Sequence, residues 1–322
     1  MARPLRIQYE GAFYHVFSRG NERREIFYDQ ADYQKFKEYL KCAQEKYGYV
    51  LHCYVLMTNH YHLLVETPRG NLSQVMHYIN SSYPTYINAK RKRSGHLYQG
   101  RYDSVLIEQD RYLLEVSRYL HLNPFRANMV EHPRFYEHSS YLSYVEKKRE
   151  DFVCPDLVLG MVSSKRKIAV RKYQEYVEQG MTEDIENPFQ SVYGGMILGS
   201  EQFIKDTLSR FKVTLHQRDD ISNRRELLTA LSYNEIITVL CQEFGISQEE
   251  LFSCKKERRN IAVFLLKKYT ALTNKEIGSL FPGITYSAVS KINQRFKKTM
   301  SEDKSLRKRV QRIMAKMSHV KG

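Results

Sequence analysis

Residues 50–66 read VLHCYVLMTNHYHLLVE. Two runs rich in β-branched and aromatic residues flank Thr58-Asn59, a two-residue turn of hairpin type. The stretch predicts strands over 50–57 and 60–66. Successive side chains of a strand alternate between faces, which puts His60 and His62 on one face, about 7 Å apart. Two imidazoles so placed can share a metal ion, and a metal held this way can polarise a phosphodiester. A His-x-His pair in a strand also describes two surface or half-buried histidines, so the decision rests on the surrounding chain.

Working outward, AFYHVFS (12–18) reads as a strand closed by Arg19-Gly20-Asn21. Helical spacing runs through Phe36, Tyr39, Leu40 and Ala43 within 32–47. Asn71 is positioned to cap a helix reaching about Lys90, and Pro84 inside it should kink or split it. SVLIE (104–108) is a fourth strand. Asp110 is placed to cap a helix that ends at Asn123, since Pro124 disfavours helical geometry in the residue before it. The order β-α-β-β-α-β, with a further helix, predicts an α+β chain. Its N-terminal domain would be a ferredoxin-like, antiparallel four-stranded sheet with helices on one face, the histidine hairpin central.

The remainder reads as helical. A basic amphipathic helix is expected over 164–179, and a glycine-containing loop over 187–200. A further apolar-faced helix spans 261–269. Thr273 and Glu276 form a capping box, Pro282-Gly283 turns the chain, and a helix follows from Thr285 or Tyr286: a helix-turn-helix pattern. The expected divisions are 1–135, a connecting region over 136–228, and 229–322.

Lys and Arg exceed Asp and Glu by 51 − 36 = 15. From Lys291 to Gly322 eleven basic residues face two acids, Glu302 and Asp303. That surplus points to a polyanionic partner, nucleic acid before an acidic membrane. No apolar run reaches the ~18–20 residues that span a bilayer, and the N-terminus lacks the apolar stretch of a signal peptide, so a cytoplasmic, nucleoid-associated protein is expected. The five cysteines are widely spaced with no CxxC pair, which argues against zinc knuckles and a disulfide framework.

Two histidines do not complete a metal site. Tyr119 and Asn123, four apart on the helix before Pro124, share a face. An amide oxygen suits a hard ion such as Mg²⁺ or Mn²⁺, and a tyrosine can attack phosphorus as a covalent nucleophile. Equally, Tyr119 can pack its helix onto the sheet, and Asn123 can simply end that helix.

GAFYHVFSRGNERREIF (11–27), HCYVLMTNHYHLLVETP (52–68), GHLYQGRYDSVLIE (95–108) and RYLHLNPFRANMV (118–130) resemble the single-tyrosine transposases of the HUH superfamily, especially the group associated with REP palindromes. The resemblance implies a divalent-metal enzyme, using Mg²⁺ or Mn²⁺, that cleaves and rejoins single-stranded or hairpin DNA through a 5′-phosphotyrosine. By position His60 and His62 match the paired ligands, Asn123 the third ligand and Tyr119 the nucleophile. No nucleotide or other small-molecule cofactor is implied. Monomers and homodimers both occur among such proteins.

Backbone contacts are expected from Arg19, Arg23 and the run Lys90-Arg91-Lys92-Arg93. Tyr98, Arg101 and Tyr102 mix aromatic faces with charge as single-strand grooves do. Residues 255–296 resemble the DNA-binding C-terminal domain of the replication initiator DnaA. That likeness places Thr285, Tyr286 and Ser287 against duplex DNA, with Lys291, Arg258 and Arg259 serving phosphates. A different class of reading is a sequence-specific DNA-binding regulator with an inactive HUH scaffold. An HUH replication initiator or relaxase remains within the enzyme class.

Overall fold

The computed structural model describes residues 6–146, 150–183, 185, 187–211, 233–270 and 272–319. They form two compact units that divide between Pro188 and Phe189. The connecting region expected over 136–228 is thereby divided: its residues up to 188 belong to the first unit. Residues 212–232 of that region lie outside the described residues.

In the first unit the elements run β1 (Ala12–Arg19), α1 (Gln30–Tyr47), β2 (Val50–Met57), β3 (His60–Thr67), α2 (Leu72–Lys90), β4 (Asp103–Ile107) and α3 (Gln109–Arg126). The short helices α4 (Tyr141–Val145) and α5 (Asp156–Val162) follow, then α6 (Arg166–Thr182). Strand order within the unit is β2-β3-β1-β4, antiparallel at every interface. The hairpin closes through Thr58-Asn59 as its sequence implies, and β3 is central. The α+β class holds.

Both sheet faces are covered, which departs from helices on one face. On one side Tyr61 meets α1 and α2: its ring lies 4.9 Å from Phe36, and its hydroxyl donates to Asn80 Oδ1 at 2.7 Å. On the other, Cys53 meets α3, with its Sγ 3.1 Å from His121 Nε2. Cys53 pairs with Leu64, and Leu64 shares a face with His62 and His60 by the two-residue repeat. The histidines therefore point to the α3 side.

Pro84 does not split its helix, and Pro124 does not end its own at Asn123. α2 runs unbroken through Pro84 because Val75, Met76, Ile79, Tyr83 and Ile87 bury a continuous stripe that outweighs one lost hydrogen bond. α3 continues past Asn123 to Arg126; Pro124 lies in the last turn, where only the bond to the Leu120 carbonyl is lost. The expected caps also differ. Asn71 makes no side-chain cap and instead donates to the Tyr47 carbonyl at 3.0 Å, while Glu108 rather than Asp110 precedes α3.

The second unit holds the two-residue strand β5 (Ile197–Leu198) and the helix α7 (Glu201–Arg210). Next come α8 (Tyr233–Phe244), α9 (Gln248–Ser253), α10 (Lys256–Tyr269), α11 (Asn274–Leu280), α12 (Tyr286–Glu302) and α13 (Lys304–His319). Ile236, Leu240, Leu265, Ile277, Val289 and Ile313 are buried together at its core. The capping box of Thr273 and Glu276 opens α11, Gly283 takes φ +76° in the turn, and Thr285 caps α12 through the Ala288 N–H. Among the described residues no helix is long and apolar enough to cross a membrane.

Candidate DNA-processing site

Register builds the site. His62 pairs with Phe17, which pairs with Asp103 on its other side, and Arg19 pairs with His60. Directly paired residues share a sheet face, so these side chains converge at one end of β3, β1 and β4. They line a cleft of about 360 Å³ together with Ser18, Gln99 and Arg101.

The imidazoles of His60 and His62 lie 5.0 Å apart between ring centroids, at 89°. A third histidine, His15, meets His62 edge to edge, with ring centroids 5.0 Å apart at 14° and its Nε2 2.8 Å from His62 Nδ1. His60 Nδ1 meets Asn59 Oδ1 at 2.5 Å. Burial holds all three rings neutral. It lowers His15 to about 3, lowers His60 to about 4 with help from Arg19, and drives His62 well below the ordinary range, with His15, His60 and Arg19 adding to the effect. Asp103 is pushed up by burial, against the pull of Arg6 and Arg101.

This pair fits a divalent ion. Metal–imidazole bonds of about 2.1 Å put each ring centroid roughly 3 Å from a shared ion, compatible with the observed separation. The Asn59 amide oxygen engages His60 Nδ1, which leaves Nε2 of that ring as a donor to an ion. Among the described residues no three His, Cys, Asp or Glu side chains gather as a metal cluster.

Tyr119 and Asn123 are brought together on α3, where Asn123 Nδ2 approaches the Tyr119 carbonyl at 3.4 Å. Neither is among the described residues lining that cleft, although α3 packs on the sheet face that bears the histidines. Tyr119 is half-buried. Burial raises its phenol, opposed by Arg126, whose guanidinium lies 5.5 Å from the ring, and by a hydrogen bond with Asn187.

Of the residues expected to touch DNA, Arg19 and Arg101 are exposed and line the cleft, and Arg23 is exposed nearby in sequence. Lys90 and Arg91 are exposed but ion-paired. Both pair with Asp29 and Asp32, Lys90 at 2.8 and 2.6 Å. Lys92 is exposed, while Arg93 donates to the Tyr28 hydroxyl at 3.2 Å. Tyr98 and Tyr102 are only 6% and 7% exposed, so they are core rings rather than stacking platforms for bases. In the second unit Thr285 and Tyr286 are exposed at the start of α12, Ser287 Oγ lies 3.2 Å from Thr285 Oγ1, and Lys291 and Arg258 are exposed while Arg259 is half-buried.

Sequence reasoning missed His15, Asn59 and Asp103. His15 sits two residues before Phe17 on the same strand face, but only the β1–β3 register brings it to His62. Asn59 was legible as a turn residue and not as a neighbour of the His60 ring.

Known proteins bear on both units. Residues 8–123 match the family described as transposase, IS200 like. Residues 233–295 match the bacterial DnaA protein helix-turn-helix. The chromosomal replication initiator protein DnaA of Synechococcus sp. (strain JA-2-3B'a(2-13)) is 32% identical over 87 residues, 24% of this chain and 19% of that protein. DnaA of Campylobacter jejuni subsp. jejuni serotype O:23/36 (strain 81-176) is 25% identical over 167 residues, 47% of this chain and 37% of that protein. The chain thus spans well under half the length of these relatives. A solved structure of the REP-associated tyrosine transposase bound to a REP hairpin aligns with a TM-score of 0.39 at 15% identity, over 44% of this chain and 82% of that one. The chain therefore carries an IS200-like transposase domain at residues 8–123 and a DnaA-type helix-turn-helix domain at residues 233–295.

Proposed function

We propose that this protein is a divalent-metal-dependent transposase that cleaves and rejoins single-stranded DNA at palindromic or hairpin sequences, working in the cytoplasm at the nucleoid. One observation carries the reading. Within an IS200-like transposase domain, His60 and His62 converge on one cleft as neutral imidazoles with Nδ1 engaged. In this reading they hold Mg²⁺ or Mn²⁺ with the amide oxygen of Asn123. The bound ion would supply charge to polarise the scissile phosphodiester. Arg19 and Arg101 at the cleft receive the phosphate backbone.

Tyr119 is the nucleophile. Its phenol gives up a proton, its oxygen bonds to phosphorus, and the bond from phosphorus to the 3′ oxygen breaks, leaving a protonated 3′-OH. The tyrosine then holds the 5′ phosphate, and attack by another 3′-OH reverses the step and rejoins strands. Tyr119 and Asn123 share α3, which packs on the sheet face that bears His60 and His62. The exposed start of α12 docks duplex DNA, with Lys291 and Arg258 on its phosphates.

The match of residues 233–295 to the DnaA helix-turn-helix also favours a second reading, a DNA-binding regulator on an inactive scaffold. Single-stranded oligonucleotides copied from inverted repeats flanking the gene, incubated with Mn²⁺ or Mg²⁺, separate the two. The transposase reading expects metal-dependent cleavage that is lost in Tyr119→Phe and His60→Ala. Tight binding without cleavage across several metals supports the regulator.

A further inference from the structure

A shared ion needs a lone pair from each imidazole, and a neutral ring has only one. Which nitrogen keeps it is set by what the other nitrogen meets. The two ring partners described above settle this at one ring directly. Asn59 donates through Nδ2 to the Arg23 carbonyl at 3.0 Å, which fixes its amide so that Oδ1 faces His60. A carboxamide oxygen only accepts, so the proton in that contact sits on His60 Nδ1, and Nε2 keeps the lone pair.

His62 meets an imidazole nitrogen instead, which can either donate or accept. If His62 Nδ1 donates to His15 Nε2, His62 Nε2 is free to bind an ion; the reverse direction places a proton there and blocks it. His15 is held for this task. It is 3% exposed, with Phe17 at 5.2 Å on the same strand face and the His62 ring meeting it edge to edge, so its Nε2 cannot swing away without leaving the core.

We propose that His15 and Asn59 are positioning residues that hold His62 and His60 in the Nδ1–H form, so that both Nε2 atoms present lone pairs to one divalent cation. The proposal rests on the metal reading of this pair, and it adds two residues that the His-x-His motif does not contain. Outer partners of this kind orient a ligand ring and fix its proton; their loss typically weakens metal binding by roughly 10–100-fold.

The test uses the full chain. Long-range ¹H–¹⁵N spectra of the metal-free protein report which nitrogen of each histidine carries its proton, and Mn²⁺ titration reports affinity. Both His60 and His62 are expected as Nδ1–H. His15→Phe keeps an aromatic ring in the slot but offers no acceptor. It should move His62 away from that form and weaken Mn²⁺ binding about 10–100-fold. His15→Gln, which restores an acceptor, should recover both. Asn59→Ala, on the turn, repeats the experiment for His60 without disturbing the core. His62 protonated on Nε2 in the unmodified chain, or His15→Phe and Asn59→Ala binding Mn²⁺ as tightly as that chain, overturns the proposal. Expected tautomers in a chain that takes up no Mn²⁺ overturn the metal reading beneath it.

Discussion

Cys53 Sγ on β2 and His121 Nε2 on α3 lie 3.1 Å apart, buried from solvent. The same His121 nitrogen is 3.0 Å from Ser140 Oγ, and its Nδ1 is 2.8 Å from the Tyr173 hydroxyl, which donates to Ser117 Oγ at 2.9 Å. This cluster ties the helix of Tyr119 to the sheet that bears the histidines. Ser140 Oγ is central, since it also accepts the Tyr54 N–H at 2.9 Å. Ser140→Ala leaves that buried N–H without its acceptor, and a loss of about 1–3 kcal/mol is expected. Urea unfolding measures it; a midpoint unchanged from the parent would show that the cluster is not what fixes α3.

The same burial makes Cys53 inert. Its thiol is pushed up to about 12, so at pH 8 only about one molecule in 10⁴ carries the reactive thiolate. Cys42 is exposed. Iodoacetamide at pH 8, followed by peptide mass analysis, should modify Cys42 and spare Cys53 in the folded chain. Equal labelling of both would mean that β2 opens from α3 readily.

Lys90 is expected to serve the fold more than DNA. Its ammonium bridges Asp29 and the fully buried Asp32. Lys90→Ala is expected to lower the thermal midpoint and leave the salt dependence of DNA binding unchanged. Lys92→Ala, at an exposed position two residues on, should do the opposite, reducing the slope by about 1 with little change in stability. Binding titrations at several salt concentrations distinguish them, and a reduced slope for Lys90→Ala would refute the assignment.

Pro84 costs α2 one backbone hydrogen bond to the Asn80 carbonyl. Pro84→Ala restores the donor in a helix that is already continuous. A gain of up to about 3 kcal/mol is expected, again from urea unfolding. Destabilisation would show that the ring has a packing role at this position.

Local chemistry was readable in the sequence, and long-range contact was not. The Thr58-Asn59 turn and the alternation around it set the hairpin, and the Thr273–Glu276 box set the start of α11, because each signal is contained within a few residues. Pro84 does not split α2 because a buried stripe outweighs one lost bond, and Pro124 does not end α3 at Asn123 because it falls in the last turn, where only one bond is lost. Lys90 and Arg91 looked like open charge because their partners, Asp29 and Asp32, lie some sixty residues earlier in the chain. Tyr98 and Tyr102 looked like a base-stacking surface because residue type does not report burial. His15 went unread for the same reason as the salt cluster: its partner His62 is 47 residues away, reached only through strand register.

In the proposed function, Tyr119 attacks a DNA phosphate held at His60 and His62. The most direct measurement is a denaturing gel of the full chain incubated with Mn²⁺ and a single-stranded oligonucleotide from the flanking inverted repeats, labelled at either end. The account predicts a protein-linked product that carries the 3′ label, a released fragment that carries the 5′ label and ends in 3′-OH, and loss of both in Tyr119→Phe. A covalent product that persists in Tyr119→Phe, or one that carries the 5′ label, contradicts it.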